Sequence, residues 1–156
     1  MLSYLDFINE NTNDVVKHNL DNDTKMDVIE HFGSPEQWVK SVSADLNLKS
    51  GDIYYDSSSF VIYATLKDGS KIEIEQDGDY VYYGIGDPKF TDSVIKIDGV
   101  DFYDIIEKDA LKKGYIDKTL TLDLSRTDLY SDIFHSTKEE RANIFKGTKS
   151  IKKYNL

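Results

Sequence analysis

Apolar positions recur at helical intervals over the first third of the chain and at strand intervals over the middle. Leu2, Leu5 and Ile8 with Tyr4 and Phe7, then Val15, Val16 and Leu20, then Met26, Val28, Ile29 and Phe32 fall at the spacing of amphipathic helices, and Gly33 stops the run. Ser34-Pro35-Glu36-Gln37 has the form of a helix start. Serine caps the first free N–H groups, proline takes the position where its missing N–H costs nothing, and glutamine follows three residues after the cap. The helix that follows carries Trp38, Val39, Val42 and Leu46 on one side.

From Gly51 the period changes to two, and Asp-Gly pairs stand at 68–69, 77–78 and 98–99 between alternating segments. Asp-Gly suits two-residue hairpins because both central positions need positive φ. The pattern predicts strands near 59–67, 70–76, 79–85 and 93–97. Two-residue turns would pair Lys67 with Ser70 and Gln76 with Asp79. That register puts Val61, Tyr63, Thr65, Ile72, Ile74, Val81, Tyr83 and Ile85 on a core face. The opposite face would hold Phe60, Ile62, Ala64, Leu66, Lys71, Glu73, Glu75, Tyr80 and Tyr82, with Glu73 across from Tyr82 and Glu75 across from Tyr80.

Beyond the meander, 101–113 reads as a helix closed by lysines and Gly114, and TLTLDL at 119–124 reads as a strand with Leu120, Leu122 and Leu124 inward. Ser136-Thr137-Lys138-Glu139 opens a further helix, expected to stop at Gly147 and leave a frayed basic tail. The predicted fold is therefore a single α+β domain over 1–156. It has a helical portion at 1–48, an antiparallel meander of about five strands over 51–124 with the helix 101–113 inserted, a helix at 136–146 and a tail at 147–156.

Composition narrows the chemistry. The chain has no cysteine, which removes disulfides, thiolate metal sites and cysteine nucleophiles. No run approaches the ~18 apolar residues of a membrane span, and MLSYLDFINEN lacks the basic flank and apolar core of a signal peptide. A soluble, unexported, cytoplasmic protein with no membrane partner is expected. The net charge of -10 is unevenly spread: residues 1–50 carry 9 acids and 4 bases, 51–109 carry 14 and 5, and 110–156 carry 6 and 10. An acidic middle repels phosphate and favours a basic protein surface; only the C-terminal lysines could touch nucleic acid.

Motif by motif, catalysis is not indicated. Gly84-Ile85-Gly86 has neither the third glycine nor the lysine of a phosphate loop, and His18, His31 and His135 lack metal-ligand spacing. Asp98, Asp101 and Asp104 do not form a calcium loop and read as turn and cap residues. Ser57-Ser58-Ser59 lacks the glycines of a nucleophile elbow. Glu73 and Glu75, two residues apart on a strand face and so about 7 Å apart, could suit a glycosidase pair. A shallow sheet face, however, offers no desolvation to separate their pKa values. No enzyme activity, cofactor or metal is expected.

What remains is the acid and tyrosine face. A helix packed on Phe60, Ile62 and Leu66 would leave the glutamates at a solvated rim. Alternatively the face is a docking surface, where Tyr80 and Tyr82 supply contact area and Glu73, Glu75, Asp77 and Asp79 pair with Arg and Lys of a basic partner. A small, cysteine-free, acidic chain rich in Asn, Asp, Lys and Tyr resembles the anti-defence proteins of phages and other mobile elements of low-GC Gram-positive bacteria, among them anti-CRISPR and anti-restriction inhibitors, some of which mimic DNA. The resemblance is one of general character over the whole chain, with no signature motif. It implies an inhibitor of a basic, nucleic-acid-handling bacterial enzyme. The same electrostatics would serve an immunity protein or antitoxin against a basic toxin, and a small hydrolase using Glu73 and Glu75 is the third alternative.

Overall fold

Val16–Leu20, expected to be helical, is strand β1 in the computed structural model, which describes residues 15–79 and 89–154. Its side chains alternate half-buried and exposed, the period of a strand; Val16 and Leu20, four apart, fit either period, and pairing with a neighbour decides between them. That neighbour is β2, Leu48–Tyr55, which runs parallel to β1 with Val16 beside Gly51 and Leu20 beside Tyr55. Parallel strands need a crossover, and α1 (Asn22–Phe32) and α2 (Pro35–Leu46) provide it. β3 (Ser59–Leu66), β4 (Lys71–Asp79), β5 (Lys89–Ile97) and β6 (Val100–Asp101) then add antiparallel in chain order. Among the described residues the sheet has six strands and is mixed, not a purely antiparallel meander.

Helices α3 (Tyr103–Lys112), α4 (Ser131–His135) and α5 (Lys138–Tyr154) follow, with a 3₁₀ turn at Thr127–Leu129. Val28 of α1, Trp38, Val42 and Leu46 of α2, Ile106 and Ala110 of α3 and Phe134 of α4 join Ile53, Phe60, Ile62, Leu66, Ile72, Ile74, Ile95 and Ile97 of the sheet in one core. One face of the sheet is thus covered, as two-layer domains require.

The helix starts follow the local chemistry. Ser34 caps α2, its hydroxyl accepting from the Gln37 N–H at 3.2 Å, with Pro35 at the first turn. Asp21 caps α1 through the Thr24 N–H at 2.8 Å, and Thr137, not Ser136, caps α5 by accepting from the Glu140 N–H at 3.1 Å. Ser34→Ala should lower stability by about 1 kcal/mol, seen as a lower urea midpoint at unchanged slope.

Turn chemistry decides the register. Asp98-Gly99 is a two-residue hairpin turn, with both residues at positive φ (50° and 80°) and Ile97 opposite Val100 of β6, a strand the pattern does not predict. Asp68-Gly69 is not. Gly69 donates to the Leu66 carbonyl and Leu66 to the Ser70 carbonyl, so the loop holds three residues, with Gly69 at φ 89°. One extra loop residue slips the pairing by one and turns every β3 side chain over. Ile62 lies opposite Ile74 and Tyr63 opposite Glu73, so Phe60, Ile62, Ala64 and Leu66 face the core while Val61, Tyr63 and Thr65 face out, the reverse of the expected assignment. Ile72 and Ile74 are buried as expected.

Asp77-Gly78 is no turn either. β4 runs through it to Asp79 and pairs with β5, Asp77 opposite Asp92 and Gly78 opposite Phe90, with an irregularity between them. Glycine in a strand commonly marks such a bulge. The cross-strand neighbours of Glu73 are therefore Tyr63 and Lys96, and those of Glu75 are Val61 and Val94, not Tyr82 and Tyr80. Tyr80, Val81, Tyr82, Tyr83 and Ile85, with Gly84 and Gly86, lie outside the described residues, as does the segment before Val15.

Three further expectations change. Residues 119–124 form no strand: Leu122 and Leu124 are buried, Leu120 is exposed, and the segment's polar backbone is met by a side chain of β4. The helix expected at 101–113 is confined to Tyr103–Lys112, because Asp101 belongs to β6 and accepts from the Tyr103 N–H at 2.9 Å. α5 passes Gly147 and continues to Tyr154, so the basic residues beyond Gly147 are helical.

Gly51 ties β2 to β3. Its φ is 142°, and a Cβ there would stand 2.5 Å from both Cα and Cβ of Ala64. Only glycine allows this approach.

Candidate functional site

The slipped register separates what the sequence had left joined: the apolar row of β3 lies under the helices and the acid row of β4 lies on the other side. From β2 the outward positions are Asp52 and Tyr54, from β3 Val61, Tyr63 and Thr65, from β4 Lys71, Glu73, Glu75 and Asp77, and from β5 Val94 and Lys96. None of these is buried. Tyr63, near the middle of the sheet, keeps 46% of its surface exposed and Tyr54 keeps 42%. Among the described residues this face is open.

Tyr63 and Glu75 are joined directly, the phenol donating to the Glu75 carboxylate. That hydrogen bond, with desolvation and the nearby charges of Glu75, Glu73 and Asp77, pushes the Tyr63 hydroxyl up to about 12. Tyr63 therefore stays a neutral donor, tied through its hydroxyl to the carboxylate row. Lys71 is turned to the Thr65 hydroxyl at 2.9 Å, and Lys96 stands opposite Glu73 on one side and Asp101 on the other. The face is a stripe of carboxylates, Asp52, Glu73, Glu75 and Asp77, interleaved with two tyrosines and bordered by lysines.

Of the residues singled out in the sequence, Glu73, Glu75 and Asp77 share this face; Asp79 ends β4, and Tyr80 and Tyr82 lie outside the described residues. Sequence reasoning missed Tyr63, Tyr54 and Asp52. The first turns on the loop length at Asp68-Gly69, which the dipeptide alone does not set. The signal for the other two was Ile53 in GDIYY, whose burial turns both its neighbours outward.

No group of three or more His, Asp or Glu side chains suited to holding a metal ion occurs among the described residues. The histidines are apart: His18 is 3.8 Å from Glu36, His31 bonds the Asp27 carbonyl, and His135 faces the carbonyls of Ala44 and Asp45. Among the described residues no helix is long and apolar enough to cross a membrane.

On the helical side, a groove of about 790 Å³ opens between α1, α2 and residues 125–128. Trp38 and Tyr55 stack in its wall with ring centroids 5.9 Å apart. Comparison of the chain with protein-family models, with curated proteins and with solved structures finds no match in any of the three.

Proposed function

We propose that the protein is a stoichiometric inhibitor whose open sheet face docks on a basic surface of a bacterial nucleic-acid-handling enzyme, in the manner of anti-CRISPR or anti-restriction proteins. The observation that carries this reading is the outward row Glu73, Glu75 and Asp77, with Asp52, Tyr54 and Tyr63 beside it, on a sheet face left open among the described residues.

Carboxylates at alternate strand positions repeat every ~7 Å, about the spacing of phosphates along a nucleic-acid strand. A basic channel shaped for phosphates would attract them, and association should weaken steeply with salt. The tyrosines add broad, stiff contact area at small entropic cost. The glycosidase alternative has no observation of its own. Glu73 and Glu75 stand on an open face, and the Glu75 carboxylate is engaged by Tyr63.

The test is inhibition of DNA cleavage by bacterial CRISPR and restriction nucleases, titrated with wild-type protein and with Glu73→Lys/Glu75→Lys. Reversing both charges should weaken inhibition at least about a hundredfold at low salt, since like charges then meet the basic surface. Equal potency of the reversed variant would reject the face as the contact.

A further inference from the structure

We propose that the groove between α1 and α2 is a second docking site, taking a peptide segment of a protein partner that presents an apolar face and at least one Lys or Arg. It lies on the helical side of the sheet and stands independently of the acidic face. Its volume, about 790 Å³, is in the range of sites that enclose several side chains.

The walls are apolar and aromatic at depth. Val28, Trp38 and Val42 line it, Tyr55 stacks on Trp38, and Phe32 stands at the mouth. Phe32 is exposed there beside an apolar floor. A large apolar side chain left open at a groove calls for an apolar counterpart, which a small cation or polyamine lacks.

The rim sets the charge of the occupant. Asp27 and Asp128 stand exposed, and Asp45 is partly exposed. Asp45 is held by the Thr127 hydroxyl at 2.8 Å. Arg126 is the one Lys or Arg among the described lining residues, and it pairs with Asp128 at 3.3 Å. His31 Nδ1 lies 2.8 Å from the Asp27 carbonyl, which can only accept, so Nδ1 donates there and holds the ring at the rim. Three carboxylates outnumber Arg126 at this rim, and with Asp128 paired to it the exposed Asp27 is the one that would meet an ammonium or guanidinium whose apolar neighbours cover Phe32.

Trp38 is the chain's only tryptophan and lines the groove, so its emission is a probe of groove occupancy. The probe is a synthetic amphipathic helix of leucine and lysine without aromatic residues, titrated into the full chain at low salt. Its counterpart carries glutamate in place of lysine. The lysine peptide should change Trp38 emission saturably and the glutamate peptide should not. Asp27→Lys/Asp128→Lys, at two exposed positions, should weaken binding at least about tenfold, and Phe32→Ser should weaken it by a similar factor. Glu73→Lys/Glu75→Lys should leave this titration unchanged, which keeps the test separate from the sheet-face reading. Unaltered affinity in Asp27→Lys/Asp128→Lys would overturn the proposal. Self-association of the wild type that the same substitutions abolish would give the groove to a second copy and would also overturn it.

Discussion

Replacing Gln76 with alanine should lower the unfolding free energy by about 4 kcal/mol, the larger of the two biggest losses expected from single substitutions here. Gln76 is an inward residue of β4, 2% exposed, with Phe60 and Ser93 opposite it on the neighbouring strands. Its amide nitrogen donates to the Leu122 carbonyl at 2.7 Å and its oxygen accepts from the Leu124 N–H at 2.9 Å. The segment over the sheet thus has its buried backbone groups met by one side chain, and Tyr130 closes the arrangement by donating to the Leu124 carbonyl. Alanine leaves a buried donor and a buried acceptor unpaired, each costing about 1–3 kcal/mol, and adds a cavity. Urea denaturation reads the loss. Gln76→Glu sharpens the test, because a carboxylate keeps the Leu124 bond but faces the Leu122 carbonyl with a second acceptor. Its stability should recover as acid protonates it and supplies a donor. The same loss should reach the groove, since residues 125–128 of its wall follow directly from this segment.

Asp68→Ala should cost about 3 kcal/mol, because it strands a buried guanidinium. Arg141 of α5 is 3% exposed and donates to the Ser136 carbonyl at 2.6 Å, to Asp68 at 2.8 Å and to the Ser70 hydroxyl at 2.8 Å. The pair fastens α5 to the β3–β4 loop. Desolvation raises the Asp68 carboxyl, but the Arg141 guanidinium and the Ser70 N–H and hydroxyl outweigh it and hold the carboxyl at about 2. With an unfolded value near 3.9, this group's contribution is complete above about pH 4 and is lost as pH falls through 2. It amounts to about 1–2 kcal/mol, less than the full shift because part of the carboxylate is screened by water. Asp68→Asn should therefore flatten the wild type's stability loss between pH 4 and 2, measured by urea midpoints across that range.

How far the fold could be read from sequence is clearest at the three Asp-Gly pairs. At 98–99 the pair is a two-residue turn with Ile97 opposite Val100, though the short strand β6 after it reaches Asp101, where the pattern places a helix. At 68–69 the same dipeptide sits in a three-residue loop, and at 77–78 it lies inside a strand at a bulge. Asp-Gly announces positive φ or a strand irregularity, but loop length depends on which neighbours pair, and that is tertiary information. The consequence is concentrated in β3, whose residues are apolar on both faces: FVIYATL offers Val61 and Tyr63 as readily as Phe60 and Ile62. Pattern alone cannot orient such a strand. β4 could be oriented, since KIEIEQ alternates cleanly, and the outward placement of Glu73 and Glu75 was therefore legible. Val16–Leu20 was not, because a parallel edge strand is defined by its crossover partner. Gln76 was read as a hairpin position, and its inward setting depends on a segment nearly fifty residues away.

If the proposed docking through the open acidic face is right, a bound partner shields its carboxylates from reaction. Carbodiimide labelling of the protein, alone and in complex with a nuclease whose cleavage it blocks, reads this residue by residue when each modified Asp and Glu is located by mass spectrometry. Asp52, Glu73, Glu75 and Asp77 should be protected in the complex and regain reactivity as salt is raised. Unchanged labelling of those four in a complex that still forms would place the contact elsewhere.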